Sequence, residues 1–284
     1  MAADWDAYTS SIDQLRDAAQ AMLDDALAKC DWSTPRVAEL SLEYLQGVYE
    51  YVYQLMGDAA GVLVDEWVTQ LAADEGITLD KLEERLSESD KAKEYAEKMA
   101  EKSQELLNKG DVAGAVNLVK NDLDMRLSLT ARNATQKATR NRKGRRKDGK
   151  RFDGLWQFAW VNQGSETCAF CRVLASRGWV YTEKDTDQFK QHVHGNCDCK
   201  LAVRPVGSKQ FPFVDEKAQE LEQAYEAAKG GGSSRDAINT LRRQEYAKPA
   251  NGDRIREQHR EAYRRRQDGK KLLEQWQQQE QQNQ

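Results

Sequence analysis

Most of the cysteine and histidine residues of this 284-residue chain lie in one short segment. Four of its five cysteines and two of its three histidines fall within residues 167–203. They form a C-x-x-C pair and, 23 residues later, the start of an H-x-x-C-x-C group. The members of the two groups are Cys168, Cys171, His194, Cys197 and Cys199.

The spacing of these five side chains is typical of a tetrahedral zinc site. Each short pair delivers two ligands to one side of the ion, and the loop between the pairs carries the chain around it. Thiolate and imidazole ligands favour zinc over calcium or magnesium. Five candidates exceed the usual four, so we expect one of them not to bind the ion, and we treat His192 as a surface residue. A site closed by four protein ligands is structural.

Three alternatives to zinc ligation stay open at this point. The C-x-x-C pair could be a redox motif, although the βαβ context of that motif is missing. The cysteines could form disulfides in an oxidising compartment, or they could be buried residues that cluster by chance. Cys30, which lies far from the cluster in the sequence, is most simply a small buried hydrophobic residue.

The composition predicts a soluble chain: 32% of residues are charged and the mean hydropathy is −0.87. No run approaches the roughly 20 apolar residues of a membrane helix, and the start lacks the basic and apolar regions of a signal peptide. We therefore expect a cytosolic or cytosol-assembled protein without a membrane partner. Thiols stay reduced in that compartment, which favours metal ligation over disulfides.

Charge is divided unevenly along the chain. Residues 1–127 carry 12 Lys and Arg against 27 Asp and Glu, whereas residues 128–284 carry 31 against 20. The segment 137–151 holds nine basic residues and one acidic residue. Such a patch neutralises phosphates without reading sequence, and it lacks the aromatic residues that stack on single-stranded bases. A solvated loop or a contact with an acidic protein are the alternatives. The candidate nucleic-acid-binding residues are Arg140, Arg142, Lys143, Arg145, Arg146, Lys147, Lys150 and Arg151.

Residues 1–127 are predicted to form an acidic all-helical domain, a bundle or hairpin. Thr34 and Pro35 are typical of a helix start. An apolar stripe follows at helical spacing, and we interpret it as a core face: Val37, Leu40, Tyr44, Val48, Tyr51 and Leu55. A second helical segment is predicted through Val62, Trp67 and Leu71, a short one from Thr78 to Leu86, and a further one up to Gly110.

The second half divides into three parts. Residues 128–151 are a helix end and basic linker. Residues 152–206 form a small α+β Cys/His module with strands at "LWQFAWV", "GWVYTE" and "CKLAVRPV" and a helix at "CAFCRVLASRG" capped by Ser165 or Thr167. Residues 207–284 are helical, first basic and then a Gln-rich tail that we expect to be disordered. The predicted fold class is therefore mainly α, with one zinc-type module.

Three segments of the second half carry a family resemblance. "RLSLTARNATQKATRNR", "LWQFAWVNQGSETCAFCRVLASRGWVY" and "HVHGNCDCKLAVRP" together resemble the C-terminal domain of phage Mu F-type head morphogenesis proteins, also called minor capsid proteins, and most closely the actinobacterial-phage branch. The resemblance spans residues 128–206. Its pattern falls on Trp156, Thr167, Cys168, Cys171, His194, Cys197 and Cys199.

The resemblance implies a structural virion component located inside the head and assembled in the host cytoplasm. Its implied partners are the portal protein, the major capsid protein and packaged double-stranded DNA bound without sequence preference. Some relatives are labelled capsid maturation proteases, but no histidine precedes His192 and no nucleophile–base pair is recognisable, so we expect no enzymatic activity. The alternatives are a metal-dependent HNH-like nuclease and a basic DNA-binding regulator.

Overall fold

The computed structural model describes residues 4–163, 168–188, 199–247, 257, 260, 264, 267–278 and 281. The described chain is mainly helical, which confirms the mainly α part of the predicted fold class. Its helices are α1 (Trp5–Leu27), α2 (Pro35–Asp74), α3 (Ala92–Leu107), α4 (Val112–Thr139), α5 (Ala169–Ala175), α6 (Glu183–Gln188), α7 (Pro212–Lys229) and α8 (Ser234–Ala247). Its strands are β1 (Ile77–Leu79), β2 (Gly144–Arg146), β3 (Arg151–Phe152), β4 (Trp156–Asn162) and β5 (Cys199–Pro205). Among the described helices, none combines the length and the apolar composition needed to cross a membrane.

Helix α2 is a single 40-residue helix where the sequence predicted two segments. The hydroxyl oxygen of Thr34 accepts a hydrogen bond from the N–H of Val37, and Pro35 occupies the first turn, which confirms the predicted start. The helix ends before Gly76, whose φ of +69° suits a residue without a side chain.

The predicted core face of α2 is wrong. Leu40, Tyr44, Tyr51 and Leu55 are exposed in the structure. The buried side is lined instead by Leu42, Leu45, Tyr49, Val52, Tyr53 and Met56. Because this helix carries apolar residues on both sides, its periodicity alone does not determine which side packs against α1, α3 and α4.

The predicted helix from Thr78 to Leu86 is also wrong, because Thr78 lies in strand β1. β1 pairs antiparallel with β2, which pairs antiparallel with β3. In this sheet Thr78 lies opposite Arg145, and Arg145 lies opposite Arg151. Much of the predicted basic linker is therefore a β-hairpin of β2 and β3. It pairs with β1, the strand that follows α2.

The α+β segment contains a two-stranded antiparallel sheet of β4 and β5. Tyr181 extends it by a single bridge to Phe158, whose backbone N–H donates to the Tyr181 carbonyl at 3.0 Å. The predicted strand "GWVYTE" is thus reduced to one bridging residue. Helix α5 packs against β4 and ends near Gly178, which has a φ of +59°.

The largest hydrophobic cluster joins both halves of the chain. It contains residues of α1, α2, α4, β4, β5, α5 and α7. At one point the rings of Tyr8 and Trp67 stack with centroids 4.0 Å apart. The predicted helical half and the predicted Cys/His module therefore contribute to one continuous core.

Residues 267–278 are helical, so part of the predicted disordered tail is ordered. Trp276 is buried beside Ala38, Leu42 and Leu107, and its indole N–H donates to the carbonyl of Ser33 at 2.8 Å. One large aromatic side chain and its hydrogen bond hold this helix against the start of α2, which the glutamine-rich composition did not indicate.

Candidate metal centre and basic hairpin

The antiparallel pairing of β4 with β5 places Cys199 at the end of the sheet from which the chain leads to Cys168 and Cys171. In the antiparallel register Asn162 lies opposite Cys199. The chain leaves β4 at Asn162, reaches Cys168 six residues later, and returns to the sheet at Cys199.

Cys168 and Cys171 lie at the start of α5. Cys168 is the N-cap residue, and its Sγ accepts a hydrogen bond from the backbone N–H of Cys171 at 3.4 Å. The predicted cap, Ser165 or Thr167, lies outside the described residues. The contact with this N–H orients the Cys168 sulfur at the start of the helix.

Cys199 is held by a residue that the sequence analysis did not single out. Arg132 of α4 is buried, and its Nη2 donates to the carbonyl oxygen of Cys199 at 2.6 Å. Its guanidinium carbon lies 5.2 Å from the ring centroid of Trp160. No local sequence signal indicates this role, because it depends on the approach of β5 to α4.

Strand β5 is also fastened to α1 by an ion pair. The ammonium group of Lys200 contacts the carboxylate of Asp13, and Arg16 bridges Asp13 and Asp124 at 3.3 and 2.6 Å. Burial lowers the pKa of Lys200, and the contact with Asp13 partly offsets that effect. The ion pair with Asp13 therefore orients Lys200, the residue that follows Cys199.

The donor set fits zinc in its chemistry. Cys171 and Cys199 are buried in the largest hydrophobic cluster, and Cys168 packs against it. His194 and Cys197 lie outside the described residues, as do Thr167 and His192. Within the described ranges no group of three or more His, Cys, Asp or Glu side chains converges as metal ligands. The zinc centre therefore stays a prediction.

The basic segment is divided by the fold into two packed residues and an exposed group. Arg142 is buried, and its Nη1 contacts Asp65 of α2 at 2.7 Å while its Nε donates to the carbonyl of Asp80 at 3.1 Å. Arg146 is half-buried, with its guanidinium carbon 5.5 Å from the ring centroid of Phe152. These two side chains act within the fold.

The remaining candidate residues of the segment are exposed: Arg140, Lys143, Arg145, Lys147, Lys150 and Arg151. Arg140 contacts Glu183, Lys150 contacts Asp148 at 3.0 Å, and Arg151 contacts Asp153 at 3.2 Å. The exposed residues from Lys143 to Arg151 lie on or beside β2 and β3, and we call this group the basic hairpin.

Comparison with known proteins places the chain in a family. No curated protein and no solved structure is significantly similar to the chain. A family model described as VG15 protein matches residues 1–228, which is most of the 284 residues. The chain therefore belongs to the VG15 protein family, a family of viral and phage gene products.

Proposed function

We propose that this phage protein is a structural minor capsid component. It acts at the portal and the inner capsid in head assembly and in packaging or delivery of the genome, and it is located inside the virion. The family membership supports a phage product, and the resemblance of residues 128–206 to Mu F-type proteins supports the finer role.

The observation that carries this proposal is the separation of charge on the folded chain. The basic hairpin presents Lys143, Arg145 and Lys147 to solvent, whereas α2 carries seven acidic residues and a single arginine. A basic surface attracts the phosphates of packaged DNA, and an acidic helical surface suits a protein partner. A head protein that contacts both the genome and the portal or major capsid protein needs these two surfaces.

The second element of the proposal is a structural zinc ion. Four of the five candidates, Cys168, Cys171, His194, Cys197 and Cys199, would hold it. A structural zinc supplies folding free energy and no reactive group. Two contacts orient candidate ligands. Arg132 donates a hydrogen bond to the Cys199 carbonyl, and the Cys168 sulfur accepts one from the Cys171 N–H at the start of α5.

The proposal is tested on purified virions and on a deletion strain. Quantitative mass spectrometry of gradient-purified particles should find the chain at low copy number, and deletion should give heads that lack DNA or infectivity. Complementation with the wild-type chain should restore both.

A charge-reversal variant tests the hairpin within the same system. Arg145→Glu with Lys147→Glu and Lys150→Glu should not complement the deletion. The matched control reverses three exposed lysines of α3, Lys93, Lys98 and Lys102, and should complement. A chain that is absent from particles, or a deletion strain with normal infectious heads, would refute the structural role.

A further inference from the structure

Helix α2 carries an apolar stripe on its solvent-facing side, interrupted between Leu55 and Val62 by Asp58, which pairs with Arg85. Its five members are between 43% and 59% exposed: Leu40, Tyr44, Tyr51, Leu55 and Val62. Their spacing alternates between four and seven residues. At 100° per residue this spacing keeps all five within an arc of about 60°, over a length of roughly 33 Å. Large apolar residues scattered singly are normal on a protein surface, but a straight row of five on one helix indicates a binding surface.

The stripe faces away from the helices that pack against α2. Within the part of the chain that the structure describes, α1, α3 and α4 cover the opposite side, where Leu45, Tyr49 and Val52 are fully buried. Gly47 lies in the same stripe, and a side chain added there would meet nothing within 4 Å. The row is thus open to solvent, with a shallow notch between Tyr44 and Tyr51.

Charge along the stripe restricts what can cover it. Glu43 lies one turn after Leu40, and Glu50 lies one turn after Gly47. Both therefore fall along the same edge of the stripe. Most other carboxylates of α2 have a partner on the chain, such as Asp58 with Arg85 and Asp65 with Arg142. Glu43 makes no ion pair with the described residues. One edge of the stripe is therefore acidic and available.

We infer that the stripe is a docking surface for an amphipathic helix of a partner protein, with an apolar row flanked by Lys or Arg. Helix-in-groove recognition places apolar anchors at helical spacing, and complementary flanking charges select the partner. A second copy of α2 would place acidic edges close to one another. The inference concerns a surface distinct from the basic hairpin and the metal centre, and it does not depend on the proposed function.

The test uses the full chain and two synthetic helical peptides of about 22 residues, measured by fluorescence anisotropy. Both peptides carry leucines at the four-and-seven spacing of the stripe, and they differ only in flanks of Lys and Arg or of Glu. The basic peptide should bind at least tenfold more tightly than the acidic one. Tyr51→Ser with Leu55→Ser should weaken that binding at least tenfold. The matched control, Leu155→Ser, changes an exposed leucine outside α2 and should leave binding unchanged.

A charge swap separates docking from general attraction to an acidic protein. Glu43→Lys with Glu50→Lys should invert the preference between the two peptides, and circular dichroism should show unchanged helix content for every variant. Equal binding of both peptides, absence of binding, or binding insensitive to the stripe substitutions would overturn the inference. Self-association of the chain in sedimentation that the double serine variant abolishes would also overturn it, because the occupant would then be a second copy.

Discussion

The guanidinium group of Arg132 and the carbonyl oxygen of Cys199 form a 2.6 Å hydrogen bond between residues 67 positions apart. The bond connects α4, which belongs to the helical bundle, with the strand that carries a candidate zinc ligand. Both partners are buried, so neither finds water as a substitute. The zinc-type segment is thereby joined to the bundle through a charged hydrogen bond as well as through the shared core.

Removing this bond should destabilise the whole chain. Arg132→Met keeps the apolar stem of the side chain but removes its charged hydrogen bond to the buried Cys199 carbonyl, which costs about 2 kcal/mol. Urea unfolding followed by tryptophan fluorescence and by far-UV circular dichroism should show one shifted transition in both signals. Arg145→Met, at an exposed position of the basic hairpin, is the control and should change the unfolding free energy little. A variant in which only the fluorescence transition moves would contradict the coupling.

The metal centre predicts a defined metal content and a selective loss. Elemental mass spectrometry of the purified chain should find about one zinc per molecule, since a structural site takes four ligands from one chain. Cys168→Ser should abolish the zinc and lower the melting temperature. Cys30→Ser should retain the zinc, because Cys30 lies apart from the site and its thiol donates to the carbonyl of Ala26. Chain without metal, with all thiols reacting rapidly, would refute the site.

The basic hairpin predicts salt-dependent binding of double-stranded DNA without sequence preference. Each phosphate contact contributes about 0.9 to the slope of log affinity against log salt. Replacing Arg145, Lys147 and Lys150 by glutamine should therefore lower the slope by up to about 3 and weaken binding to all sequences equally. The triple glutamine variant of Lys93, Lys98 and Lys102 on α3 should leave the slope unchanged. A strong preference for one sequence would instead favour a regulator.

The sequence predicted elements whose signals are local. The Thr34 and Pro35 helix start, the positive-φ glycine at Gly110, and the strands around Trp160 and Leu201 all follow from residue types within a few positions. These features depend on capping, on backbone conformation and on runs of β-prone residues, which neighbouring residues determine.

Features that depend on distant partners could not be predicted in this way. Arg142 looks like eight other basic residues of its segment, yet it is buried because Asp65 lies 77 positions earlier in the chain. Thr78 joins a strand because β2 supplies the pairing partner. Arg132 has no local signal of charge recognition, and its role follows only from the approach of β5 to α4. Which side of α2 is buried was likewise determined by its neighbours.

The half-buried carboxylate of Glu88 predicts a loss of stability in acid. Its two oxygens accept hydrogen bonds from Lys91 and from Asn133 of α4, each at 3.0 Å. Burial by itself would raise the pKa of Glu88, but these hydrogen bonds and nearby positive charges leave it below its usual value of 4.5. A carboxyl whose pKa is lower in the folded chain stabilises the fold above its unfolded pKa, and that contribution is lost as the pH falls through the folded pKa.

Glu88→Gln should accordingly destabilise the chain at pH 7 and have a smaller effect at pH 3, because the wild-type carboxyl takes up its proton as the pH falls. The expected difference at pH 7 is about 1 kcal/mol, since the side chain is only partly shielded from solvent. Urea unfolding at the two pH values measures it, with Glu83→Gln at an exposed position as the control. The same destabilisation at pH 7 and pH 3 would mean that Glu88 contributes through packing, because a contribution from its charge must diminish on protonation.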